Sequence, residues 1–263
     1  MSESQVIVST KNPIVGRFRD AGTGRAGEAM LVEGPKLIAE ALAAGLDPVE
    51  AVFDVTRGDV HGELLDALRG RGADVHACAD TVCARLSFVT TPQGVAAVFR
   101  RPTFADARLL GPGPALVVIA AGVKDPGNLG ALLRAAEAAG ATGLVALRGG
   151  ADVFREKAVR GAAGSTFRLP TRNGVAVEDA LAFVAHHDLA LFVADEQGDC
   201  DYLDVDLRRP CALVVGGEGE GIPAEVAARA SARLRVPMRG AVDSLNVAVA
   251  AGVLLYEARR QRR

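Results

Sequence analysis

The sequence is poor in the residues that build metal centres and disulfide frameworks. Its 263 residues include four cysteines and four histidines, with no CxxC or HExxH spacing among them. Cysteines without such spacing are typical of free thiols in a reducing compartment. We therefore expect neither a metal site nor a disulfide framework.

Long apolar runs and a leader sequence are also missing. No run approaches the ~18 apolar residues of a membrane helix, and the opening MSESQVIVSTKNP is polar. We therefore expect a cytoplasmic protein with no signal peptide and no contact with a membrane. Apolar residues make up 49% and charged residues 24% of the chain, which indicates a soluble globular protein. The net charge of −2 gives no overall attraction to a polyanion, so nucleic acid would need a local basic patch.

Helices and strands alternate along the first hundred residues from residue 32 onward. The residue patterns predict helices over 33–45 and 61–72, and strands over 49–55, 73–79 and 94–101. Such alternation indicates a parallel or mixed sheet covered on both faces. The first thirty residues are polar and glycine-bearing, and basic residues are spread through them.

A proline-rich segment divides the chain. Three prolines and two glycines lie within Pro102–Pro114, a composition typical of a linker between domains. We therefore predict a first domain over 1–105, a linker over 106–114 and a second domain over 115–263.

Charge is unevenly distributed in the second half. Residues 148–172 carry six basic and two acidic side chains, which would suit either a solvated face or a phosphate-facing one. Residues 178–206 carry nine acids and no Lys or Arg, and their DEQGDCDYLDVD part is predicted to be a solvated loop. The last arginines of the chain are predicted to form a frayed basic tail.

Two loops of the second half follow apolar strands. The first, AGVKDPGN, places Asn128 just before a helix and Arg134 about two turns into it. Taken alone, Arg134 and Glu137 have the spacing of an ordinary ion pair on a helix surface. The second, GGEGEG, has dinucleotide-like glycine spacing but contains two carboxylates, which oppose a phosphate and suit a neutral or cationic ligand such as a sulfonium.

A third stretch, VPMRGAVDSLNVAVAAGVLLYEA, predicts a strand end, a glycine loop and a helix. Asp243 and Ser244 lie where an N-cap is expected, and Asn246 falls in the first helical turn. The residues from Val247 to Val253 are small or β-branched, so the helix is predicted to be buried around its circumference, with a partner subunit as the simplest cover.

These three stretches resemble the three sequence motifs of the SpoU/TrmH family of RNA ribose 2′-O-methyltransferases, in the SPOUT superfamily. The resemblance covers residues of about 115–258 in the family's order, KDPGNLGALLRAAEAAG, VVGGEGEGIP and then the third stretch. VEGPKLIAEAL and LSFVTTPQGVAAVF resemble the family's substrate-binding domain, an α/β sandwich related to small RNA-binding ribosomal proteins.

The resemblance implies an α/β catalytic domain with a deep C-terminal trefoil knot that binds S-adenosylmethionine and acts as a homodimer. Its cofactor residues map onto Gly216, Gly217, Val236, Met238 and Leu245. Its catalytic polar set maps onto Asn128, Arg134, Glu218, Ser244 and Asn246. By this resemblance, Arg134 would activate the ribose hydroxyl, and Glu218 and Asn128 would orient Arg134 and the loops. Ser244 and Asn246 would bind RNA phosphate or ribose.

The expected activity is 2′-O-methylation of ribosomal RNA, and transfer RNA is the alternative substrate. The substrate-binding domain favours ribosomal RNA, since short tRNA members of the family lack it. A catalytically silent RNA-binding protein is a second possibility, which the intact polar set disfavours. A dinucleotide-dependent oxidoreductase is a third, which the loop carboxylates disfavour. RNA affinity of the first half is expected from its arginines, which are Arg17, Arg19, Arg25, Arg100 and Arg101.

Overall fold

The computed structural model describes residues 6–217, 221–240 and 244–263. Contacts divide the chain into two compact units. The first comprises Met1–Pro102 and Phe154–Phe167, and the second comprises Thr103–Val153 and Arg168–Arg263. Residues 154–167, which lie within the predicted second domain, therefore pack with the first unit.

The first unit contains a four-stranded mixed sheet. The strand order is β1-β4-β2-β3, where β4 is antiparallel to both its neighbours and β2 is parallel to β3. The mixed sheet that the alternating pattern predicted is therefore present. In chain order the elements are α1 (Pro13–Thr23), β1 (Ala29–Glu33), α2 (Pro35–Ala43), β2 (Pro48–Asp54), a 3₁₀ helix (Val55–His61), α3 (Gly62–Gly70), β3 (Asp74–Cys78), α4 (Asp80–Leu86) and β4 (Val95–Arg100).

Helix α1 lies in the polar opening of the chain, for which the sequence pattern predicted no element. The Asn12 side chain caps it by accepting a bond from the N–H of Ile14 at 3.0 Å, and Pro13 occupies its first turn. Its apolar face is buried against one face of the sheet, where Phe18 and Ala21 are fully covered. A local cap and one apolar face are thus enough to order this segment.

The second unit is built on a seven-stranded sheet in which every pair of neighbours is parallel. Its strand order is β7-β6-β5-β10-β8-β11-β9. From residue 103 onward the elements in chain order are α5 (Asp106–Leu110), β5 (Leu116–Ala121), α6 (Pro126–Ala139), β6 (Gly143–Leu147), α7 (Glu156–Ala162), α8 (Ser165–Arg168), β7 (Thr171–Val175), α9 (Val177–His186), β8 (Ala190–Ala194), β9 (Cys200–Asp201), a 3₁₀ helix (Tyr202–Asp204), β10 (Cys211–Gly216), α10 (Ala224–Ala227), β11 (Ala232–Arg235) and α11 (Val247–Gln261). Of these, α7 and most of α8 lie within the segment Phe154–Phe167 of the first unit.

Part of the predicted linker belongs to the second unit. Residues 106–110 form α5, and Leu109 is fully buried in the core under the parallel sheet. A Cβ atom on Gly143 would lie 2.8 Å from Cβ of Leu109, so glycine at 143 permits this close packing. Arg172 and Asp106 add an ion pair at 2.9 Å.

The end of the chain is anchored, so the predicted frayed tail is wrong. Helix α11 runs to Gln261, and the guanidinium of Arg262 donates to four carbonyl oxygens, those of Pro114, Ala115, Leu207 and Arg209. These carbonyls lie before β5 and β10, so one side chain ties α11 to the amino end of the central strands. Within the described ranges, no helix combines the length and apolar character that crossing a membrane requires.

Candidate active site

The loops that carry the predicted site residues meet at one edge of the parallel sheet. They follow β5, β10 and β11, which with β8 form the four neighbouring strands β5-β10-β8-β11. On the other side of β5 lie β6 and β7, so the direction of strand addition reverses next to β5. Ligands of open α/β sheets bind at the carboxyl ends of strands beside such a reversal.

A cleft of about 550 Å³ opens at this edge, within the second unit. Most of the side chains that line it are apolar and include Ile222, Leu234 and Leu254. Volumes of roughly 300–1,000 Å³ with a few polar groups are typical of small-molecule pockets. All five residues predicted to bind the cofactor line the cleft: Gly216, Gly217, Val236, Met238 and Leu245.

Glycine at 216 and 217 is required by close packing of the loop after β10. A Cβ atom on Gly217 would lie 2.1 Å from the carbonyl oxygen of Gly122, and one on Gly216 would lie 2.9 Å from Cγ1 of Ile222. The N–H of Gly217 donates to the carbonyl oxygen of Ala121 at 2.8 Å, so it is not free for a phosphate. This geometry argues against the dinucleotide-binding loop that the glycine spacing suggested.

Two residues of the predicted polar set are brought together across 118 residues of sequence. The side-chain amide of Asn246 donates to Oδ1 of Asn128 at 3.0 Å. Asn128 lies in the first turn of α6, whose N-cap is Asp125, and Asn246 precedes α11. The positive ends of two helix dipoles therefore lie beside each other, where an anionic group would be stabilised. Leu245 and Val247, on either side of Asn246, line the cleft.

The N-cap of α11 is Asn246, and the predicted cap one turn earlier is wrong. Oδ1 of Asn246 accepts a bond from the N–H of Ala248 at 3.0 Å, so the helix begins at Val247. Ser244 is exposed and lines the cleft instead. Asp243 lies outside the described residues.

Arg134 is exposed on α6 and makes no hydrogen bond or ion pair with a described residue. Glu137, the partner that helical spacing suggested, instead accepts bonds from Arg168 at 2.7 and 2.9 Å. The guanidinium of Arg134 is therefore available to a ligand. Glu218, the remaining member of the predicted polar set, lies outside the described residues.

Residues 115–256 match the model of the SpoU rRNA methylase family, more than half of the chain. The chain belongs to this family. The resemblance that the three motifs carried is thereby confirmed, and residues 24–97 match the MRM3-like substrate binding domain.

Similar proteins of this family span almost the whole chain. An uncharacterised tRNA/rRNA methyltransferase of Synechocystis is 31% identical over 99% of this chain and 96% of its own length. The 23S rRNA guanosine 2′-O-methyltransferase RlmP of Bacillus subtilis is 33% identical over 87% of this chain and 88% of its own. The crystal structure of the SpoU methyltransferase AviRb from Streptomyces viridochromogenes with AdoMet superposes with a TM-score of 0.88, at 30% identity, over 96% of this chain and 98% of that one.

Asp195 and Glu196 also line the cleft of this SpoU-family chain, although the sequence pattern predicted a solvated loop for them. Asp195 accepts bonds from Nε and Nη2 of Arg233 at 3.0 and 2.6 Å. Burial opposes ionisation of Asp195, but the bonds from Arg233 and from the N–H of Gln197 outweigh it and lower the pKa of its carboxyl. Both residues directly follow the buried strand β8, and that position was the signal that could have revealed them.

Most arginines proposed to give the first unit RNA affinity have partners within that unit. Arg17 pairs with Glu50 and Arg25 with Asp20. Arg101 donates to the carbonyl oxygens of Ala29 and Gly24. These side chains help to hold the unit together, whereas Arg100 is exposed at the end of β4.

Proposed function

We propose that this protein transfers a methyl group from S-adenosylmethionine to a ribose 2′-oxygen of ribosomal RNA. The observation that carries the proposal is the cleft at the strand reversal, lined by all five predicted cofactor residues. At the same edge, Asn128, which follows β5, is hydrogen-bonded to Asn246, which precedes α11. The family match supports the same reaction.

The residues present fit S-adenosylmethionine. Adenine needs an apolar slot with backbone edges, and Ile222, Leu234 and Leu254 supply apolar wall beside the backbone of Gly216 and Val236. When bound, this cofactor supplies an electrophilic methyl group on a sulfonium. Ser244 lines the cleft, so its hydroxyl can reach either the ligand or the incoming ribose.

Arg134 stabilises the developing negative charge on the ribose oxygen. An arginine guanidinium stays protonated in proteins, so it is a poor base. A preorganised cation instead lowers the cost of forming an alkoxide and can hold the adjoining phosphate through two parallel bonds. Asn128 and Asn246 place the start of α6 and of α11 beside this anion, and Glu218 would orient the surrounding loops.

The substrate assignment rests on the first unit. It contains the segment that matches a substrate-binding domain, and we assign residues 1–105 to RNA binding. The relative RlmP, aligned over 87% of this chain, is a 23S rRNA enzyme. The presence of this unit favours ribosomal RNA, because the short tRNA members of the family lack such a domain.

The active form is a cytoplasmic homodimer with a trefoil knot in the second unit. Support for the dimer comes from exposed apolar side chains at and beyond the start of α11, since Leu245 is 37% exposed, Val249 53% and Tyr256 53%. Helical spacing places Val249 and Tyr256 on one side of α11, an apolar surface that a second copy would cover.

The test is methyl transfer from labelled S-adenosylmethionine to ribosomal RNA and, in parallel, to transfer RNA. Digestion to nucleosides should place the label on ribose 2′-oxygens of ribosomal RNA. Label on a base would contradict the reaction, and preferential labelling of transfer RNA would contradict the substrate.

A further inference from the structure

The turn after β8 holds a carboxylate at the rim of the cleft. The turn runs from Asp195 to Gly198, and both Asp195 and Glu196 line the cleft. Asp195 is committed to Arg233 and to the N–H of Gln197. Glu196 is exposed and makes no hydrogen bond or ion pair with a described residue.

The backbone of this turn is held by hydrogen bonds and close packing, which fix where Glu196 leaves the chain. The N–H of Asp195 donates to the carbonyl oxygen of Leu234 at 2.9 Å, and the N–H of Gly198 donates to that of Asp195 at 3.0 Å. A Cβ atom on Gly198 would lie 2.5 Å from the carbonyl oxygen of Arg233, so the turn presses directly on β11. A rigid turn presents its side chain to a ligand at little entropic cost.

Strand order places Glu196 away from the reacting atoms. Asn128 follows β5, and β10 lies between β5 and β8. Neighbouring strands are about 4.8 Å apart, so the end of β8 lies about 10 Å from the end of β5. A ligand whose methyl group points towards Asn128 and Arg134 would therefore present its adenosine end to Glu196.

Adenosine offers two neighbouring hydroxyl donors on its ribose, and a carboxylate is an acceptor with two oxygens. Acidic side chains at the carboxyl ends of strands bind ribose hydroxyls in this way in other α/β folds. We infer that Glu196 accepts hydrogen bonds from the ribose hydroxyls of S-adenosylmethionine and so sets the specificity of the cleft for a ribonucleoside cofactor. This inference rests on the proposed function.

The test is calorimetric titration of the full chain with S-adenosylhomocysteine, which binds without turnover. Three altered ligands separate the contacts: 5′-methylthioadenosine lacks the amino acid, and the 2′-deoxy and 3′-deoxy analogues of S-adenosylhomocysteine each lack one ribose hydroxyl. The variant is Glu196→Gln. The control is Asp199→Asn, which removes the same charge from an exposed residue of the same loop outside the cleft lining.

Glu196→Gln should weaken S-adenosylhomocysteine and 5′-methylthioadenosine by about tenfold each, the scale of one hydrogen bond to a charged group. The deoxy analogues should bind the parent more weakly but lose little further affinity in the variant. Asp199→Asn should bind all ligands like the parent.

Equal affinity of Glu196→Gln and the parent for S-adenosylhomocysteine would overturn the assignment to Glu196 and leave the proposed function intact. A loss seen only with S-adenosylhomocysteine would place the carboxylate at the amino-acid end and overturn the ribose contact. A parent chain that binds none of these ligands would overturn the proposed function itself.

Discussion

Asn246 has two separable roles, because its side chain caps α11 through Oδ1 and reaches Asn128 through its amide nitrogen. Asn246→Asp keeps a capping oxygen but loses the donor and adds a negative charge where the RNA anion is expected. Asn246→Ala loses both functions.

We expect Asn246→Asp to keep thermal stability near that of the parent and to lower methyl transfer by about a hundredfold. Asn246→Ala should in addition lose about 1 kcal/mol of folding free energy, the usual cost of a cap. Thermal unfolding and single-turnover assays measure the two effects. Equal stability losses in both variants would show that the link to Asn128, and not the cap, stabilises this region.

Arg134 is expected to act on the transition state. Arg134→Ala should cost about 3 kcal/mol or more in kcat/KM, on the scale of losing a preorganised charge. Affinity for S-adenosylhomocysteine should be unchanged, since Arg134 is not among the cleft-lining residues. The matched control is Arg209→Ala, which removes an exposed arginine that lies before β10, at the amino end of the strands. Turnover of Arg134→Ala within threefold of the parent would contradict a catalytic role.

Glu156 makes stability depend on pH. Burial raises the pKa of its carboxyl, the Arg160 guanidinium 3.5 Å away lowers it, Glu33 raises it, and the net pKa lies above the usual value. A carboxyl with a raised pKa in the folded state favours folding below its unfolded pKa of about 4.3, and this contribution is lost as pH rises through the folded pKa.

Glu156→Gln cannot ionise, so it should raise the melting temperature at pH 7 to 8 by about 2 °C. At pH 4 the same substitution should change it little. The exposed Glu28→Gln serves as the control, with no shift expected at either pH. A stabilisation that is equal at both pH values would contradict the argument from ionisation.

Much of the site could be predicted from the sequence, because its residues lie in three motifs that directly follow apolar strands. The resemblance of the motifs to the SpoU/TrmH family assigned Gly216, Gly217, Val236, Met238 and Leu245 to the cofactor, and all five line the cleft. Glu196 could not be assigned in this way, since its neighbours in the sequence are acidic and resemble a solvated loop. Only the position of β8 between β10 and β11 brings it to the cleft.

At the scale of elements, Arg262 makes more of the hydrogen bonds that anchor the end of α11 than Arg259 or Gln261 does. Besides its four carbonyl acceptors, Arg262 contacts Sγ of Cys211 at 3.3 Å. Replacing it removes this donor from the carbonyl oxygens of Pro114, Leu207 and Arg209, whereas that of Ala115 also accepts from the N–H of Cys211 at 2.9 Å. Such losses cost about 1–3 kcal/mol per buried group.

Arg262→Met keeps the aliphatic stem and should lower the folding free energy by about 2–3 kcal/mol. The exposed Arg263→Met is the matched control and should change stability by less than about 0.5 kcal/mol. Chemical denaturation measures both. Equal stability of the two variants would mean that the apolar face of α11 and the bonds of Arg259 and Gln261 hold the helix without Arg262.

Elements were predictable where one local pattern decides them. Strands β5, β6, β8 and β10 of the second unit are continuous apolar runs, as strands buried on both faces should be. Helix α1 was missed because its charged face dominates the composition, although Asn12 and Pro13 form a start signal. The start of α11 was misplaced because Asp243, Ser244 and Asn246 are all competent caps and only hydrogen-bond geometry distinguishes them.

At the scale of the whole molecule, the exposed side chains of α11 determine the expected assembly. Light scattering should report twice the chain mass of 27.1 kDa at micromolar concentration. Val249→Glu should shift the mass to that of one chain, because it places a charge in a buried apolar interface. Val60→Glu alters an equally apolar residue of the first unit, 80% exposed, and should leave the dimer intact. A parent that scatters as a single chain would contradict the dimer.

The sequence predicted a division near residue 105 but not the composition of the two units. Strands and helices can be predicted because each depends on a short stretch of sequence. The division can be predicted because the segment between the units is rich in proline. That Phe154–Phe167 joins the first unit depends on packing between distant residues, such as α7 against β1. A fragment of residues 112–263 would therefore lose Leu109 and retain a segment without its packing partners.

The interrupted first unit also determines when a growing chain can finish folding. All four strands of the first sheet have been synthesised once the ribosome has passed Pro102. The segment Phe154–Phe167, which completes this unit, follows only after 51 residues of the second unit. At about 5–20 residues per second, translation from 103 to 167 takes roughly 3–13 s. During that interval strand β1 has been synthesised but α7, which packs against it, has not. The apolar surface of β1 that α7 would cover is then a target for chaperones that bind nascent chains.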